Sequence, residues 1–293
     1  MGRDLAESFA CARAVFDEVD DRLGFGLSRL CFEGPAETLA LTEHAQPAIL
    51  AASVAAFRVL EETAGLKPLA VAGHSLGEWS ALVAAKALGL GDAAHGVRER
   101  GRLMQQAVPV GVGAMAALLG IDLARAQALC AEAAGSEVVA PANLNGGGQI
   151  VIAGHAAAVD RVIAAAAATR VRAQKLAVSA PFHCALMQPA ADGLAPVLAE
   201  LRFAEPAVPV VTSVDGRVVE SARELPGLLE RQVTAPVRWE ETARVLAGFG
   251  AGIAIECGPG RTLAGLMKRI VPELPSVHGG DLHGVDAVRE ALE

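Results

Sequence analysis

The sequence has no tyrosine, only two tryptophans, and fewer basic than acidic residues. Its 25 Lys and Arg residues against 33 Asp and Glu residues give a formal net charge of −8. Proteins that bind nucleic acids need basic side chains for the phosphates and, for single strands, aromatic rings that stack on the bases. The composition therefore argues against a nucleic-acid partner.

Long apolar runs and paired cysteines are also absent. The longest run of consecutive apolar residues, 162–168, is far shorter than a membrane-spanning helix, which needs roughly 20 residues. The first twenty residues are rich in acidic side chains and fit neither a secretory nor a transit signal. The five cysteines are widely spaced, without a C-x-x-C pair, which indicates neither a disulfide framework nor a thiolate metal site. We therefore expect a soluble cytoplasmic protein that does not bind a membrane.

Patterns typical of helices and strands alternate along most of the chain. Apolar residues recur every three or four positions from Leu5 to Leu23, which predicts an N-terminal amphipathic helix. A second helix is expected to begin at Gln46-Pro47, because proline suits the first helical turn, and to end at Gly65. Other predicted elements of this kind are strands 68–73, 208–212 and 252–256, and helices 76–88, 92–107, 184–201, 223–232, 239–248 and 262–270. This alternation predicts a largely parallel α/β sheet.

The middle of the chain has a different order of elements. Strand 114–119, helix 122–134, strands 137–142 and 149–153, helix 156–169 and strand 171–176 follow one another in the β-α-β-β-α-β order of the ferredoxin-like unit. We therefore predict a small ferredoxin-like subdomain, residues 111–183, inserted into a large domain. Residues 1–110 and 184–293 would form that domain, an α/β unit with a hydrolase-like parallel sheet.

A candidate nucleophile lies between a predicted buried strand and a predicted helix. Gly73-His74-Ser75-Leu76-Gly77 fits the G-x-S-x-G pattern of a nucleophile elbow, in which a tight turn pushes the serine hydroxyl outward. The Leu76 amide, at the start of the helix, could then stabilise an oxyanion. The alternative is that Ser75 merely caps the helix. The strand and helix on either side favour the nucleophile.

A serine nucleophile needs a base, and one of the seven histidines stands out. His183 lies where the chain leaves the predicted subdomain and returns to the large domain. It is therefore expected in the cleft between them, a favoured place for sites. Without further signals, a histidine at such a place is more often structural than a base.

Five segments together resemble one family, the malonyl-CoA:acyl carrier protein transacylases and the related acyltransferase domains of polyketide synthases. They are GHSLGE (73–78), ERGRLM (99–104), QIVIAG (149–154), APFHCALM (180–187) and ECGPG (256–260). The resemblance covers nearly the whole chain. It implies transfer of a malonyl group from malonyl-CoA to the phosphopantetheine thiol of acyl carrier protein, in fatty-acid or polyketide synthesis. It also implies that no metal ion or tightly bound cofactor is needed.

The resemblance assigns roles to individual residues. Ser75 would carry the acyl group, His183 would serve as general base and acid, and the main-chain carbonyl of Gln232 would orient the imidazole. Arg100 would bind the free carboxylate of malonate. Arginine suits that role because its planar guanidinium forms two parallel hydrogen bonds to a carboxylate, although an arginine on an amphipathic helix is usually exposed.

The same segments imply further substrate contacts. Phe182, just before the histidine, would occupy the space of an additional methyl group and so favour malonyl over methylmalonyl. Met104 and His74 are expected to line the substrate site. Outside these segments, Asn145 lies in the loop of the predicted subdomain that faces the cleft, and we expect it to contact the acyl or pantetheine amides, although Asn-Gly is more often a simple turn.

Members of this family usually begin with a short strand and a loop whose glutamine amide supplies a second oxyanion donor. The chain of 293 residues starts after both. We therefore expect an unfilled position in the sheet, and an oxyanion hole with the Leu76 amide as its one donor.

Two other functions remain open at this point. An α/β-hydrolase would use Ser75, an acid such as Asp215, and a late histidine, His278 or His283. A non-catalytic relative would bind carrier protein without turnover, which the lack of the family's first segment would explain. A malonyl adduct on Ser75 would exclude the second alternative, and separate replacement of His183 and His278 would test the first.

Overall fold

The computed structural model describes residues 1–178 and 180–292. Ser179, which directly precedes the APFHCALM segment, and Glu293 lie outside the described residues. The α-helices are α1 (Arg3–Ser8), α2 (Ala10–Leu23), α3 (Leu27–Glu33), α4 (Ala36–Leu39), α5 (Thr42–Ala64), α6 (Gly77–Ala84), α7 (Leu90–Ala107), α8 (Leu123–Ala134), α9 (Ala156–Ala168), α10 (Gln188–Glu200), α11 (Leu225–Thr234), α12 (Trp239–Ala247), α13 (Thr262–Ile270) and α14 (Leu282–Leu292). The strands are β1 (Val71–Ala72), β2 (Gly113–Leu119), β3 (Val139–Gly146), β4 (Gln149–His155), β5 (Arg172–Lys175), β6 (Val210–Val211), β7 (Ala254–Glu256) and β8 (Ser276–His278). No helix in these described ranges is long and apolar enough to cross a membrane.

The large part of the molecule contains parallel strand pairs surrounded by helices. Strand β1 pairs with β6, and β7 pairs with β8, both in parallel. Helices α2, α5, α7 and α10 pack against one another around the main apolar core. The predicted α/β class with parallel strands is confirmed. Strand β1 is shorter than the predicted strand 68–73, because Pro68 has no N–H for a ladder and Leu69 is 54% exposed.

Several helix boundaries differ from the sequence-based expectation: α6 ends at Ala84 rather than at 88, and α10 begins at Gln188 rather than at 184. The two larger differences are at α5 and at the N-terminus. Helix α5 begins at Thr42, so Pro47 lies inside the helix and the prediction that it occupies the first turn is wrong. The earlier start follows from packing: Gly101 of α7 lies so close to α5 that a Cβ there would be 2.5 Å from the Thr42 carbonyl oxygen. The N-terminal pattern, predicted as one helix, forms α1 and α2, because Phe9 between them is extended.

Strands β2 to β5 form a separate antiparallel sheet in the order β3-β4-β2-β5. This order, with α8 and α9 as the two crossover helices, is that of the predicted ferredoxin-like unit. The unit has its own apolar core, which includes Leu118, Ile152 and Val162. Its exact division from the rest of the chain, at residues 110/111 and 183/184, stays a prediction.

Main-chain hydrogen bonds join this small sheet to the large part of the molecule. The Leu144 amide donates to the Val237 carbonyl at 2.8 Å, and the Val237 amide donates to the Ala142 carbonyl at 2.9 Å. Strand β3 therefore pairs with the segment that follows α11. This pairing fixes the positions of β3 and α11 relative to each other, and both elements carry candidate site residues.

Candidate active site

The G-x-S-x-G segment forms a sharp turn between β1 and α6. Ser75 has a φ of +53°, a left-handed conformation that is uncommon for residues other than glycine. A Cβ on Gly73 would lie 1.8 Å from the carbonyl carbon of Gly77, so this close approach requires glycine at position 73. A Cβ at position 77 would point into open space, so only the first glycine of the pattern is required on steric grounds.

The turn brings Ser75 to His183, which lies 108 positions later in the chain. The Ser75 Oγ is 2.7 Å from His183 Nε2, and His183 Nδ1 is 2.8 Å from the main-chain carbonyl oxygen of Gln232. A carbonyl only accepts hydrogen bonds, so Nδ1 carries the proton and Nε2 is free to take the hydroxyl proton. Burial, together with the positive charge of Arg100, lowers the pKa of His183 to about 3. The imidazole is therefore neutral at neutral pH, as a general base must be.

Arg100 of α7 lies beside Ser75 with only 2% of its surface exposed. Its Nη2 donates to Ser75 Oγ at 3.0 Å and to Gln232 Oε1 at 3.1 Å, and its Nη1 donates to Gln46 Oε1 at 2.7 Å. Its Nε is buried and has no partner within the described residues. Burial lowers the pKa of Arg100 to about 10, and the Glu78 carboxylate opposes that shift, so the guanidinium stays charged. A buried cation with neutral partners and an unused N–H is suited to bind a carboxylate.

The structure also places Gln46, Glu78 and Ser213 at the site, and the sequence analysis gave none of them a role there. Gln46 contacts Arg100 as described above. Glu78 is fully buried, and its Oε2 accepts hydrogen bonds from the Ser213 amide (3.0 Å), the Ser213 hydroxyl (2.7 Å) and Gln232 Nε2 (2.7 Å). Burial raises the pKa of Glu78, while these donors oppose the shift. Glu78 is part of the GHSLGE segment, but the sequence analysis gave it no role because a glutamate in the first turn of a helix is common.

His74 and Asn145 meet where the small sheet faces the elbow. His74 Nε2 lies 2.9 Å from Asn145 Oδ1, and Asn145 Nδ2 donates to Gln149 Oε1 at 3.2 Å. Burial lowers the pKa of His74, which favours the neutral imidazole. Asn145 thus holds the residue next to the nucleophile from the opposite side of the cleft.

The remaining predicted residues surround this centre. Met104 is buried behind the arginine, and its Sδ accepts a hydrogen bond from Gln46 Nε2 at 3.7 Å. Phe182 is half-buried and packs against both the main core and the cluster under the small sheet. The Leu76 amide, directly after Ser75, makes no hydrogen bond to any described residue, which leaves it available to an oxyanion.

The residues of the alternative hydrolase triad lie elsewhere. Asp215 forms salt bridges with Arg217 and Arg231, and His278 lies 3.4 Å from Asp281. His283 is exposed on α14. Within residues 1–178 and 180–292, none of these side chains bonds to Ser75.

A serine activated by a neutral histidine, with a cation for the far end of an acyl group, can take up an acyl group and pass it on. The class of protein defined by this fold and site is therefore the serine-dependent acyltransferase. The acyl transferase domain family matches residues 1–274 of the chain. The chain belongs to this family and, within it, to the malonyl CoA-acyl carrier protein transacylases.

Three relatives illustrate the similarity. The malonyl CoA-acyl carrier protein transacylase of Escherichia coli (strain K12) is 46% identical over 294 residues, which cover 100% of this chain and 94% of that protein. The structure of the corresponding transacylase from Coxiella burnetii superposes with a TM-score of 0.96 at 41% identity, covering 100% of this chain and 93% of the other. A malonyl-transacylase solved in complex with its type II PKS acyl-carrier protein has a TM-score of 0.96 at 45% identity, covering 99% of this chain and 94% of the other.

Proposed function

We propose that this chain is a malonyl-CoA:acyl carrier protein transacylase that works through a malonyl ester on Ser75. The observation that carries the proposal is the buried Arg100, which has an unpartnered Nε and lies 3.0 Å from the Ser75 hydroxyl. The hydrogen-bond partners of Arg100 are all neutral, so a neutral acyl group would leave the guanidinium without a directly bonded carboxylate, whereas malonate supplies one. The relative that was solved with a carrier protein supports a carrier protein as the acceptor.

The first half-reaction loads the serine. Ser75 Oγ attacks the thioester carbonyl of malonyl-CoA, and His183 Nε2 takes the hydroxyl proton. The carbonyl oxygen becomes an oxyanion, to which the Leu76 amide donates a hydrogen bond. The carbon–sulfur bond then breaks, and His183 returns its proton to the sulfur of the departing CoA. The products are free CoA and a malonyl-Ser75 ester.

The second half-reaction unloads the serine. The phosphopantetheine thiol of the carrier protein attacks the ester carbonyl while His183 takes the thiol proton. The bond to Ser75 Oγ then breaks, and His183 returns the proton to that oxygen. The free enzyme is restored and malonyl carrier protein leaves. Throughout, Arg100 would hold the malonyl carboxylate, and the Gln232 carbonyl would keep the imidazole in the required tautomer.

The loading step can be tested by the mass of the intact protein after exposure to malonyl-CoA. We expect one malonyl adduct in the wild type, none in Ser75→Ala, and release of the adduct when carrier protein is added. A wild type that acquires no adduct, or an adduct that survives in Ser75→Ala, would contradict the proposal.

The substrate assignment can be tested with Arg100→Ala and two donors, malonyl-CoA and acetyl-CoA. Removal of one partner of a buried charge pair costs about 2 to 5 kcal/mol. We therefore expect loading from malonyl-CoA to fall by at least roughly 25-fold, while loading from acetyl-CoA is kept or favoured. Equal losses with both donors would show that Arg100 does not bind the carboxylate.

The transfer is proposed to take place in the cytoplasm. All five cysteines are free thiols in the structure, and burial raises the pKa of each of them. Unpaired cysteines fit a reducing compartment. Fractionation of cells that express the chain would test this location.

A further inference from the structure

Glu78 is a buried carboxylate that the transfer mechanism does not use. It lies one helical turn after Ser75, in the first turn of α6, and none of its surface is exposed. A buried carboxylate destabilises the folded protein unless hydrogen bonds or an opposite charge compensate for the lost water. We therefore expect the hydrogen bonds of Glu78 to serve a function. Its hydrogen bonds lead directly to the substrate-binding side of the site.

The connection between Glu78 and Arg100 runs through one side chain. Gln232 donates from Nε2 to Glu78 Oε2 at 2.7 Å and accepts at Oε1 from Arg100 Nη2 at 3.1 Å. The bond to Glu78 decides which end of the Gln232 amide faces Arg100. If the amide were reversed, its NH₂ group would point at the guanidinium and repel it.

Two more bonds hold this arrangement. The Ser213 amide and hydroxyl both donate to Glu78 Oε2, at 3.0 and 2.7 Å, and the Ser213 hydroxyl also lies 3.2 Å from Gln232 Nε2. Oε2 therefore accepts from three donors, which fixes the carboxylate in a single orientation. Oε1 is buried and has no partner among the described residues.

We propose that Glu78 is a positioning residue for malonyl selectivity, which acts through Gln232 to hold the Arg100 guanidinium beside Ser75. This inference rests on the proposed function, since it assumes that Arg100 binds the malonyl carboxylate. Glu78 touches neither substrate nor the reacting atoms. Its effect is on the angle at which the guanidinium meets the carboxylate, and so on the discrimination between malonyl and neutral acyl donors.

Two substitutions separate hydrogen bonding from charge. Glu78→Gln keeps one oxygen that can accept from Ser213 and Gln232, and it places its NH₂ group where Oε1 has no partner. Glu78→Met keeps a similar volume but removes every acceptor. If Glu78 acts by positioning, Glu78→Gln keeps the wild-type preference for malonyl over acetyl donors, because its oxygen still accepts from Ser213 and Gln232. The preference could also increase, because a negative charge near the malonyl carboxylate has been removed.

The experiment measures the rates at which malonyl-CoA and acetyl-CoA load Ser75, and compares their ratio among variants. We expect Glu78→Met to lower the malonyl-to-acetyl ratio by about tenfold, and Glu78→Gln not to lower it. Gln232→Met keeps the main-chain carbonyl that orients His183 and should lower the ratio as Glu78→Met does. It replaces Glu78→Met in the test if Glu78→Met does not fold. Glu132→Gln, at an exposed position on α8, is the matched control for loss of one negative charge.

A purely structural role for Glu78 would lower both loading rates equally and leave the ratio unchanged, which would overturn the proposal. An equal fall of the ratio in Glu78→Gln and Glu78→Met would also overturn it, because charge would then be responsible. In an Arg100→Met background, Glu78→Met should not change the ratio further, and an additional fall would show that Glu78 does not act through Arg100. A wild type that takes up no malonyl group would instead refute the proposed function.

Discussion

As the proposed base, His183 can act only while its imidazole is neutral, and the charge of Arg100 affects that protonation state. The positive charge of Arg100 is the second cause, after burial, of the low pKa of His183. A malonyl carboxylate bound to Arg100 would offset this charge, so binding should raise the pKa of the histidine and make it a better base. An acetyl group has no carboxylate and should leave the pKa low.

This difference predicts the pH dependence of loading. The rate falls as pH drops through the pKa of His183, because the imidazolium cannot accept a proton. We therefore expect the acidic limb to lie at higher pH with malonyl-CoA than with acetyl-CoA, in pre-steady-state measurements of Ser75 acylation. In Arg100→Met, the acetyl limb should move to higher pH because the neighbouring cation is gone. Identical limbs for both donors in the wild type would contradict this electrostatic coupling.

Phe182 provides a second test at the scale of single residues. The family resemblance implies that its ring occupies the space of the additional methyl group of methylmalonyl. We expect Phe182→Ser to raise the ratio of methylmalonyl to malonyl loading. The increase should correspond to about 1 to 3 kcal/mol, which is the free energy that one methyl group contributes in a pocket. Competition between the two CoA esters, followed by mass analysis of the adduct, measures this ratio. An unchanged ratio would mean that Phe182 serves only the packing between the two cores.

At the scale of elements, the strand-turn-helix unit β1–α6 depends on one glycine more than on the other. A Cβ at position 73 would overlap the backbone of Gly77, whereas a Cβ at position 77 meets nothing within 4 Å. We expect Gly73→Ala to unfold the elbow or displace Ser75, with at least roughly a hundredfold loss of loading. Gly77→Ala, the matched control, should be neutral or stabilise α6 by up to about 1 kcal/mol.

Urea unfolding and the loading rate measure these two effects separately. Full activity in Gly73→Ala would show that the turn can relax without moving the nucleophile. A large loss of stability in Gly77→Ala would show that the second glycine is needed for a reason other than space.

At the scale of the whole molecule, the apolar core of the small sheet is separate from the main apolar core, which suggests two units of stability. Ile152 is fully buried in the core of the small sheet, and Ile→Ala changes in such places cost about 2 to 5 kcal/mol. We expect Ile152→Ala to speed amide hydrogen exchange in β2 to β5 while exchange in α5 stays slow. A uniform increase across both parts would mean that the predicted division at residues 110/111 and 183/184 does not separate the molecule into independent units.

Residue patterns within short stretches of the sequence were enough to predict the fold class, the small subdomain and the turn at Ser75. The alternation of helix and strand periodicities predicted the α/β class, and the β-α-β-β-α-β order predicted the ferredoxin-like unit with its observed strand order. The G-x-S-x-G segment predicted the turn at Ser75. These features are local, since each depends on residues within one element or its neighbours. The local conformational preferences of these residues agree with the backbone of the folded protein, which is why they could be predicted.

Only the tertiary structure decided how the site is assembled. Arg100, of a type that is usually exposed, is buried because α7 packs against α5 and α10, and α10 packs against α11. This packing brings Gln46 and Gln232 to its guanidinium from 54 positions before it and 132 after it. Glu78 meets Gln232 across 154 positions. Hydrogen bonds between such distant residues leave no periodic trace in the sequence, because they exist only after the apolar faces of the helices have packed and excluded water from the polar groups between them.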